Sequence, residues 1–216
     1  YKNIHIMPNP GDAGSRLGAA ALHLYNTTGK KVNWNGPYLG HNIEGAYPVK
    51  KALASLKKGE LFGIANGRAE FGPRALGNRS LVADPRGPKV KDKMNTIKNR
   101  QKFRPFAPMI LEKHVHEYFD MPGGITNAPY MQFVAKCKKP EEFPAIIHED
   151  GTSRVQTVNQ KQHPGLYKLL SEYNKATGCP MLVNTSLNIK GQPIVNDVAD
   201  AQAFEKHYGV TVHTND

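Results

Sequence analysis

The chain has 216 residues, with 29 Lys and Arg against 18 Asp and Glu, which gives a formal net charge of +11. Hydrophobic residues make up 39% of it, a share that excludes a membrane-embedded protein and a disordered one. No apolar run approaches the roughly 18 residues of a membrane span, and no secretion signal is recognisable, so we expect a cytoplasmic protein without membrane contact. The basic excess requires an anionic partner or another explanation.

Helices are predicted at five places where apolar residues recur at helical spacing. They begin at Ser15, run from Val49 to Gly59, cover the Lys-rich residues 89–102, run from Pro164 to Gly178, and run from Asp197 to Gly209. Proline at a first helical position and glycine just past a last turn support the fourth helix. Residues Asn26–Pro48 have no such period and are predicted to form a loop or an interdomain connection.

Short apolar or β-branched segments predict eight strands after the second helix. They are Leu61–Ala65, Leu81–Ala83, Met109–Leu111, Gln132–Ala135, Ala145–Ile147, Val155–Val158, Met181–Val183 and Val210–Val212. A further strand-like segment, Ile4–Met7, precedes the first helix. Because strict β–α alternation fails between residues 130 and 160, the pattern predicts an α/β or α+β domain with a mixed sheet.

The positive charge is concentrated in one part of the chain. Between Asn66 and Arg104 there are 11 Lys or Arg residues and three acids, so this window carries +8 of the total of +11. The rest of the sequence is close to balanced. A local excess of this kind indicates a binding site for an anion more than a general solubility trait.

Glycines within this window indicate what kind of anion it binds. Arg68, Arg74 and Arg79 stand in the stretch GRAEFGPRALGNRS, residues 67–80. Glycine lets the backbone approach a bound group closely, while planar guanidinium groups donate paired hydrogen bonds to it. This combination is typical of a phosphate site.

Arg104 lies between Phe103 and Phe106, and a guanidinium among apolar residues is expected to be held by an ionic partner. That partner is either an anionic ligand or an acid of the chain such as Glu70 or Asp84. The sequence leaves both possibilities open.

Four segments together resemble the carbamoyltransferase family that includes the nodulation-factor, cephamycin and tobramycin O-carbamoyltransferases. They are Gly67–Arg86 (GRAEFGPRALGNRSLVADPR), Asn95–Pro108 (NTIKNRQKFRPFAP), His148–Val158 (HEDGTSRVQTV) and Val183–Ile194 (VNTSLNIKGQPI). The string GPRALGNRS is specific to this family. The chain therefore resembles the C-terminal domain of this family.

The resemblance implies a YrdC-like domain over residues 36–216, an α/β fold with a twisted mixed sheet and flanking helices. In the family this domain binds ATP and carbamoyl phosphate and forms carbamoyl adenylate. Residues 1–35 would be the C-terminal remnant of an ASKHA (actin-like) domain plus a linker. The missing N-terminal domain of the same polypeptide would hold iron or another divalent metal, with Asp12 as one ligand, and would transfer the carbamoyl group to a small-molecule hydroxyl acceptor.

The same resemblance assigns site residues. Those expected to bind nucleotide and substrate are Arg74, Arg79, Lys98, Arg104, Arg154, Asn184 and Ser186. Among them, Lys98, Arg104 and Ser186 are expected to be catalytic. Fixed cations suit the reaction because attack of a carbamate oxygen on the α-phosphorus builds negative charge on phosphate oxygens, and Mg²⁺ is expected on the phosphates.

Simpler structural roles remain open for some of these residues. The segment Asn184–Ser186 could be a turn that ends a strand. Arg154 could pair with Asp150 or Glu149, and Asp12 could be a turn residue before the first helix.

The alternative function is a nucleic-acid-binding YrdC-like module that serves tRNA modification, since a basic window could follow a phosphate backbone. The aromatic residues near the charge, Phe71, Phe103 and Phe106, stand beside Gly, Lys, Arg and Pro and do not form an evident stacking array. Nucleic acid is therefore the less favoured partner.

Overall fold

The computed structural model describes residues 6–216. The helices are α1 (Asp12–Thr28), α2 (Val49–Lys57), α3 (Val90–Ile97), α4 (Val115–Tyr118), α5 (Pro164–Thr177) and α6 (Val198–Tyr208). The strands are β1 (Tyr38–Ile43), β2 (Phe62–Ala65), β3 (Gly67–Glu70), β4 (Arg79–Ala83), β5 (Ala107–Leu111), β6 (Phe119–Asp120), β7 (Phe133–Cys137), β8 (Thr152–Val158), β9 (Met181–Ser186) and β10 (Val212–His213).

Eight of these strands form one mixed sheet in the order β10-β2-β4-β9-β5-β8-β7-β6. Strands β10 and β2 are parallel, as are β5 and β8, and the other neighbours are antiparallel. Strands β1 and β3 pair separately as an antiparallel ribbon. The central strands β2, β4 and β5 are buried along their whole length, as expected for strands covered on both faces.

Helix α5 packs against α2 and against strands β5 and β9. Its residues Leu166, Leu169 and Leu170 are fully buried at the spacing that the sequence pattern predicts. Gly178 ends the helix in the left-handed conformation, with φ of 72°. The predicted α/β class, with a mixed sheet and flanking helices, is confirmed.

Several sequence-based assignments are wrong. The helix predicted over residues 89–102 ends at Ile97, and the short elements α4 and β6 were not predicted. Strand β1 lies inside Asn26–Pro48, which was predicted to be a loop, and β3 was not predicted at all. Both strands are short, contain glycine and pair only with each other, so their stability comes from tertiary contacts that a local pattern does not show. The segment Ala145–Ile147, predicted to be a strand, lies largely in a 3₁₀ turn at Pro144–Ile146, because proline favours a first helical position.

Helix α1 begins at Asp12, three residues before the predicted start, and Gly14 is its only buried residue. The division into residues 1–35 and 36–216 stays a prediction. Of the strand-like segment Ile4–Met7, the first two residues lie outside the described residues, and Ile6 and Met7 do not form a strand. None of the helices among residues 6–216 is both long and apolar enough to cross a bilayer.

Candidate active site: an arginine-lined cavity

Four arginine side chains line a cavity of about 310 Å³, which we call the arginine cavity. They are Arg74, Arg100, Arg104 and Arg154. The cavity wall contains no carboxylate among the residues that the structure describes. A concave site whose charged side chains are all arginines is suited to a small polyanion.

Strand register places polar side chains together on one face of the sheet. Gln156 of β8 lies opposite Met109 of β5, which lies opposite Leu182 of β9. Residues two apart on a strand share a face. Arg154 is two residues before Gln156 and Asn184 is two residues after Leu182, so both side chains point to the same side of the sheet as Gln156. Two strands that are distant in sequence therefore supply one wall of the cavity.

The loop between β3 and β4 crosses this face and carries Arg74. The side-chain amide of Asn184 donates to the carbonyl of Ala75 at 2.9 Å and to Oε1 of Gln156 at 2.7 Å. Gln156 in turn donates to the carbonyl of Leu76 at 2.9 Å. The two amides thus hold the loop backbone against the sheet and position Arg74 at the cavity.

Glu70 at the end of β3 holds the other side of this loop. Its Oε1 accepts hydrogen bonds from the backbone N–H of Leu76 at 2.6 Å and of Asn78 at 2.8 Å. Burial raises the pKa of this carboxyl although those hydrogen bonds oppose the rise. Glu70 is therefore engaged with backbone N–H groups and does not neutralise the arginines.

A buried histidine completes the support of the loop. His163 accepts a hydrogen bond from the backbone N–H of Leu166 on Nδ1 at 3.1 Å, so its proton is on Nε2, which donates to Oδ1 of Asn78 at 2.9 Å. Burial lowers the pKa of His163 to about 4. The imidazole is neutral at physiological pH, as this hydrogen-bond pattern requires.

Polar atoms in the cavity wall are left without hydrogen-bond partners. Among the described residues, buried atoms of this kind include Nη2 of Arg100, Nε of Arg154 and Oδ1 of Asn184. Leaving such groups unsatisfied costs free energy, so their convergence on one cavity indicates a ligand that would satisfy them.

The arginines also repel one another. Burial, together with Arg104, lowers the pKa of Arg100 to about 10, and burial, together with Arg74, lowers that of Arg154 to about 10. The guanidinium of Arg100 is fixed over the ring of Phe106, at 4.3 Å from the ring centroid. A bound anion would relieve this repulsion.

Lys98 lies behind the cavity wall. Its Nζ donates to the backbone carbonyls of Ser186 at 2.6 Å and Asn188 at 2.7 Å. Burial, together with Arg100 and Arg104, lowers the pKa of Lys98 to about 7. Lys98 thereby fixes the segment that presents the Ser186 hydroxyl, and it does not itself line the arginine cavity.

Arg79 is not brought to the cavity. Its side chain is buried and donates to five backbone carbonyls, those of His41, Asn66, Gly67, Asn78 and Asn196. These acceptors occupy its guanidinium, which joins three chain segments in place of binding a ligand.

Asp12 is exposed in the first turn of α1. No group of three or more His, Cys, Asp or Glu side chains that could hold a metal ion occurs in the described part of the chain. Asp12 alone does not make an iron site.

The cavity thus contains Arg74, Arg104, Arg154, Asn184 and Ser186 of the predicted residues. No salt bridge joins Arg104 or Arg154 to an acid among the described residues, and Asp84 pairs with Arg86 at 2.7 Å.

Sequence reasoning missed Arg100 and His148 in the wall and Gln156 and His163 beside it. Arg100 stands two residues after Lys98, so its place in the charged window was visible. The role of His163 was not visible, because no local sequence pattern indicates that its side chain supports the loop.

Comparison with known proteins decides the family. The model of the family described as "Carbamoyltransferase C-terminus" matches residues 53–213, about three quarters of the chain. The chain belongs to this family. The resemblance that the four sequence segments suggested is therefore confirmed.

Curated relatives of this family member include two nodulation proteins. Nodulation protein NolO of Bradyrhizobium diazoefficiens is 37% identical over 228 residues, which cover 93% of this chain and 41% of NolO. Nodulation protein U of Azorhizobium caulinodans is 39% identical over 213 residues, covering 93% of this chain and 38% of that protein. The chain thus spans about two fifths of the length of these relatives.

Solved structures share the fold at low sequence identity. Full-length HypF, in a phosphate- and nucleotide-bound form, is 20% identical with a TM-score of 0.55, covering 76% of this chain and 20% of HypF. HypF of T. kodakarensis is 23% identical with a TM-score of 0.52, covering 78% of this chain and 20% of its own. These likenesses concern the fold.

Proposed function

We propose that the arginine cavity binds ATP and carbamoyl phosphate and forms carbamoyl adenylate. The observation that carries this proposal is the convergence of four arginines on one cavity whose described wall has no carboxylate. Buried atoms of Arg100, Arg154 and Asn184 in that wall lack hydrogen-bond partners. The family supports carbamoyl chemistry, and the cavity supports a phosphorylated substrate.

The reaction needs several fixed cations. Water releases phosphate from carbamoyl phosphate and leaves carbamate. A carbamate oxygen then attacks the α-phosphorus of ATP, and the bond to the leaving pyrophosphate breaks. Arg100, Arg104 and Arg154 would stabilise the charge on the phosphate oxygens, and Arg74 would close over them from its loop.

The polar groups of β9 suit the carbamoyl group. A carbamoyl group offers N–H donors and a carbonyl acceptor, and Oδ1 of Asn184 is a free acceptor while the Ser186 hydroxyl can donate or accept. Lys98 would act by holding the segment Ser186–Asn188 in place.

Two metals are expected from the family resemblance, Mg²⁺ on the phosphates and iron in a further domain. Because no described residue of the cavity wall is a carboxylate, Mg²⁺ would be held by the phosphate oxygens of the substrate. The iron expected in a further domain finds no ligand set among residues 6–216, so no step is derived from it.

Transfer to a small-molecule hydroxyl acceptor would need the part that the relatives possess beyond this chain. We therefore expect no acceptor carbamoylation by these residues alone. We place the reaction in the cytoplasm, where ATP and carbamoyl phosphate are available.

Nucleic-acid binding is the less favoured function. Three arginines of the basic part of the sequence, Arg74, Arg100 and Arg104, converge with Arg154 in a cavity of about 310 Å³ and do not spread over a surface that a phosphate backbone could follow. A small anion fits this arrangement better.

Exchange of labelled pyrophosphate into ATP tests the proposal. With Mg²⁺, label should enter ATP only when carbamoyl phosphate is present. Arg154→Met should lower the exchange rate by at least about a hundredfold, in line with loss of one charge-stabilising donor. Arg16→Met on the exposed face of α1 is the matched control and should leave it unchanged.

Carbamoyl phosphate-independent exchange would refute the proposed chemistry, as would equal rates for the two variants. Tight RNA binding with a steep salt dependence, unaffected by ATP, would favour the nucleic-acid alternative.

A further inference from the structure

A second and larger cavity, of about 740 Å³, adjoins the first. Gln156 lines it, and Oε1 of Gln156 accepts the hydrogen bond from Asn184 in the wall of the arginine cavity. We call it the amide cavity. Its volume lies within the range of about 300–1,000 Å³ that is usual for small-molecule sites.

Three aromatic rings line the amide cavity, those of Trp34, Tyr38 and Tyr130. Tyr38 packs edge-on against His163 with ring centroids 5.5 Å apart, and the side chains of Tyr38 and Tyr130 both pack against a small buried cluster that contains Leu76 and Met131. Two of the rings are therefore held in place by their surroundings. Such faces pack against the C–H face of a sugar or against a planar base.

Side-chain amides form a fixed belt beside the rings. Gln162 donates from Nε2 to Oδ1 of Asn127 at 3.2 Å and accepts in return on Oε1 at 3.4 Å. Asn127 and Asn159 both donate to Oε2 of Glu112, the latter at 2.9 Å. This shared carboxylate orients the amides. Both Nδ2 hydrogens of Asn127 are engaged, so a ligand can use one amide hydrogen each of Asn159 and Gln162 and the remaining lone pairs of the amide oxygens.

The charge of the amide cavity differs from that of its neighbour. Lys161, an exposed residue, is the only Lys, Arg, Asp or Glu in the lining that the structure describes. His163 is neutral, and both its ring nitrogens are already hydrogen-bonded. The cavity thus suits neither a polyanion nor a cation, and it suits an uncharged ligand with groups that both donate and accept.

We infer that the amide cavity binds an uncharged sugar ring through the aromatic faces and the belt of amides. Hydroxyl groups donate and accept at once, as side-chain amides do, so the two match. The ring belongs either to a nucleoside or to a free saccharide. This inference does not depend on carbamoyl adenylate formation, which concerns the arginine cavity.

Fluorescence of Trp34, the only tryptophan in the chain, reports on this cavity directly. The protein is titrated separately with adenosine, with methyl β-glucoside and with pyrophosphate. We expect a saturable change with adenosine, with the glucoside or with both, and none with pyrophosphate. A change with adenosine alone identifies the nucleoside as the source of the ring, and one with the glucoside alone identifies a saccharide.

Variants show whether the change comes from the amide belt. Asn127→Ala should weaken binding about tenfold, because it removes one acceptor and releases the Gln162 amide that Asn127 orients. Tyr130→Phe keeps the ring and should bind within about threefold of the parent. Tyr130→Ala removes the ring and should weaken binding, which covers the case in which Asn127→Ala fails to fold. Asn26→Ala on the exposed part of α1 is the matched amide control.

The inference would be overturned if neither adenosine nor the glucoside gave a saturable fluorescence change. Equal affinities for the parent and a folded Asn127→Ala protein would overturn it as well. If pyrophosphate exchange into ATP persists in that case, the proposed function stands without the sugar site.

Discussion

Acidification should weaken the support of the loop that carries Arg74, because His163 must stay neutral. Its Nδ1 accepts from Leu166 and its Nε2 donates to Asn78, an arrangement that a doubly protonated imidazole cannot make. The pKa of His163 is lowered by burial from 6.5 to about 4 in the folded protein. Between these values the unfolded chain binds more protons than the folded one, so stability falls as the pH falls.

The size of this effect follows from the two pKa values. The gap of about 2.5 pH units corresponds to a limit of about 3.4 kcal/mol, of which about 2 kcal/mol is already lost at pH 5 relative to pH 7. For a chain of this length a loss of about 2 kcal/mol lowers Tm by about 5 °C.

Urea unfolding at pH 7 and pH 5 measures this loss for the parent and for His163→Asn. Asparagine is a good helix N-cap, so α5 can still begin at its present residue, while the titrating group is gone. The variant should be less stable at pH 7 and should lose about 2 kcal/mol less on acidification. His213, whose pKa is also lowered by burial, titrates in both proteins and cancels. Equal losses in the two proteins would refute the assignment of the pH dependence to His163.

Three further predictions concern the cations. Arg79→Met should lower the free energy of unfolding by about 3–5 kcal/mol in urea denaturation, because it removes the buried guanidinium that donates to five carbonyls. Arg154→Met should raise that free energy by about 1 kcal/mol, since it removes a desolvated charge repelled by Arg74, while calorimetry should show at least about tenfold weaker pyrophosphate binding. Lys98 has a pKa of about 7, which should rise when an anion binds nearby, so pyrophosphate binding at pH 8 should be accompanied by uptake of close to one proton. Calorimetry in two buffers measures this uptake, and Lys98→Met should abolish it.

The sequence predicts the regular parts of the fold well because those parts follow local rules. Helix α5 has proline at its start, apolar residues at helical spacing and glycine after its last turn, and all three features are found where expected. The ribbon of β1 and β3 could not be predicted in this way. Its partners are 24 or more residues apart, and its strands contain glycines whose place is set by close packing, as where Gly40 lies against Ala69.

The candidate site was predictable to the extent that charge and motif reveal it. Arg74 and Arg79 stand in the same glycine-rich string, yet one lines the cavity and the other holds the loop. The difference is set by His41 and Asn196, which supply carbonyls to Arg79 from segments 38 residues before it and 117 after it. No local pattern contains that information, so sequence reasoning assigned both arginines to the ligand.

The arrangement of charge around the cavity explains why a ligand is needed. Glu70 precedes the loop that carries Arg74, and its Oε1 is engaged with the backbone N–H groups of Leu76 and Asn78. The fold thus uses this acid to shape the loop and leaves Arg100 and Arg154 with buried donors and no counter-charge. Natural proteins accept such local destabilisation chiefly where function requires it. A bound polyphosphate would supply the counter-charge. At equal ionic strength, polyphosphate should therefore raise the free energy of unfolding more than chloride does.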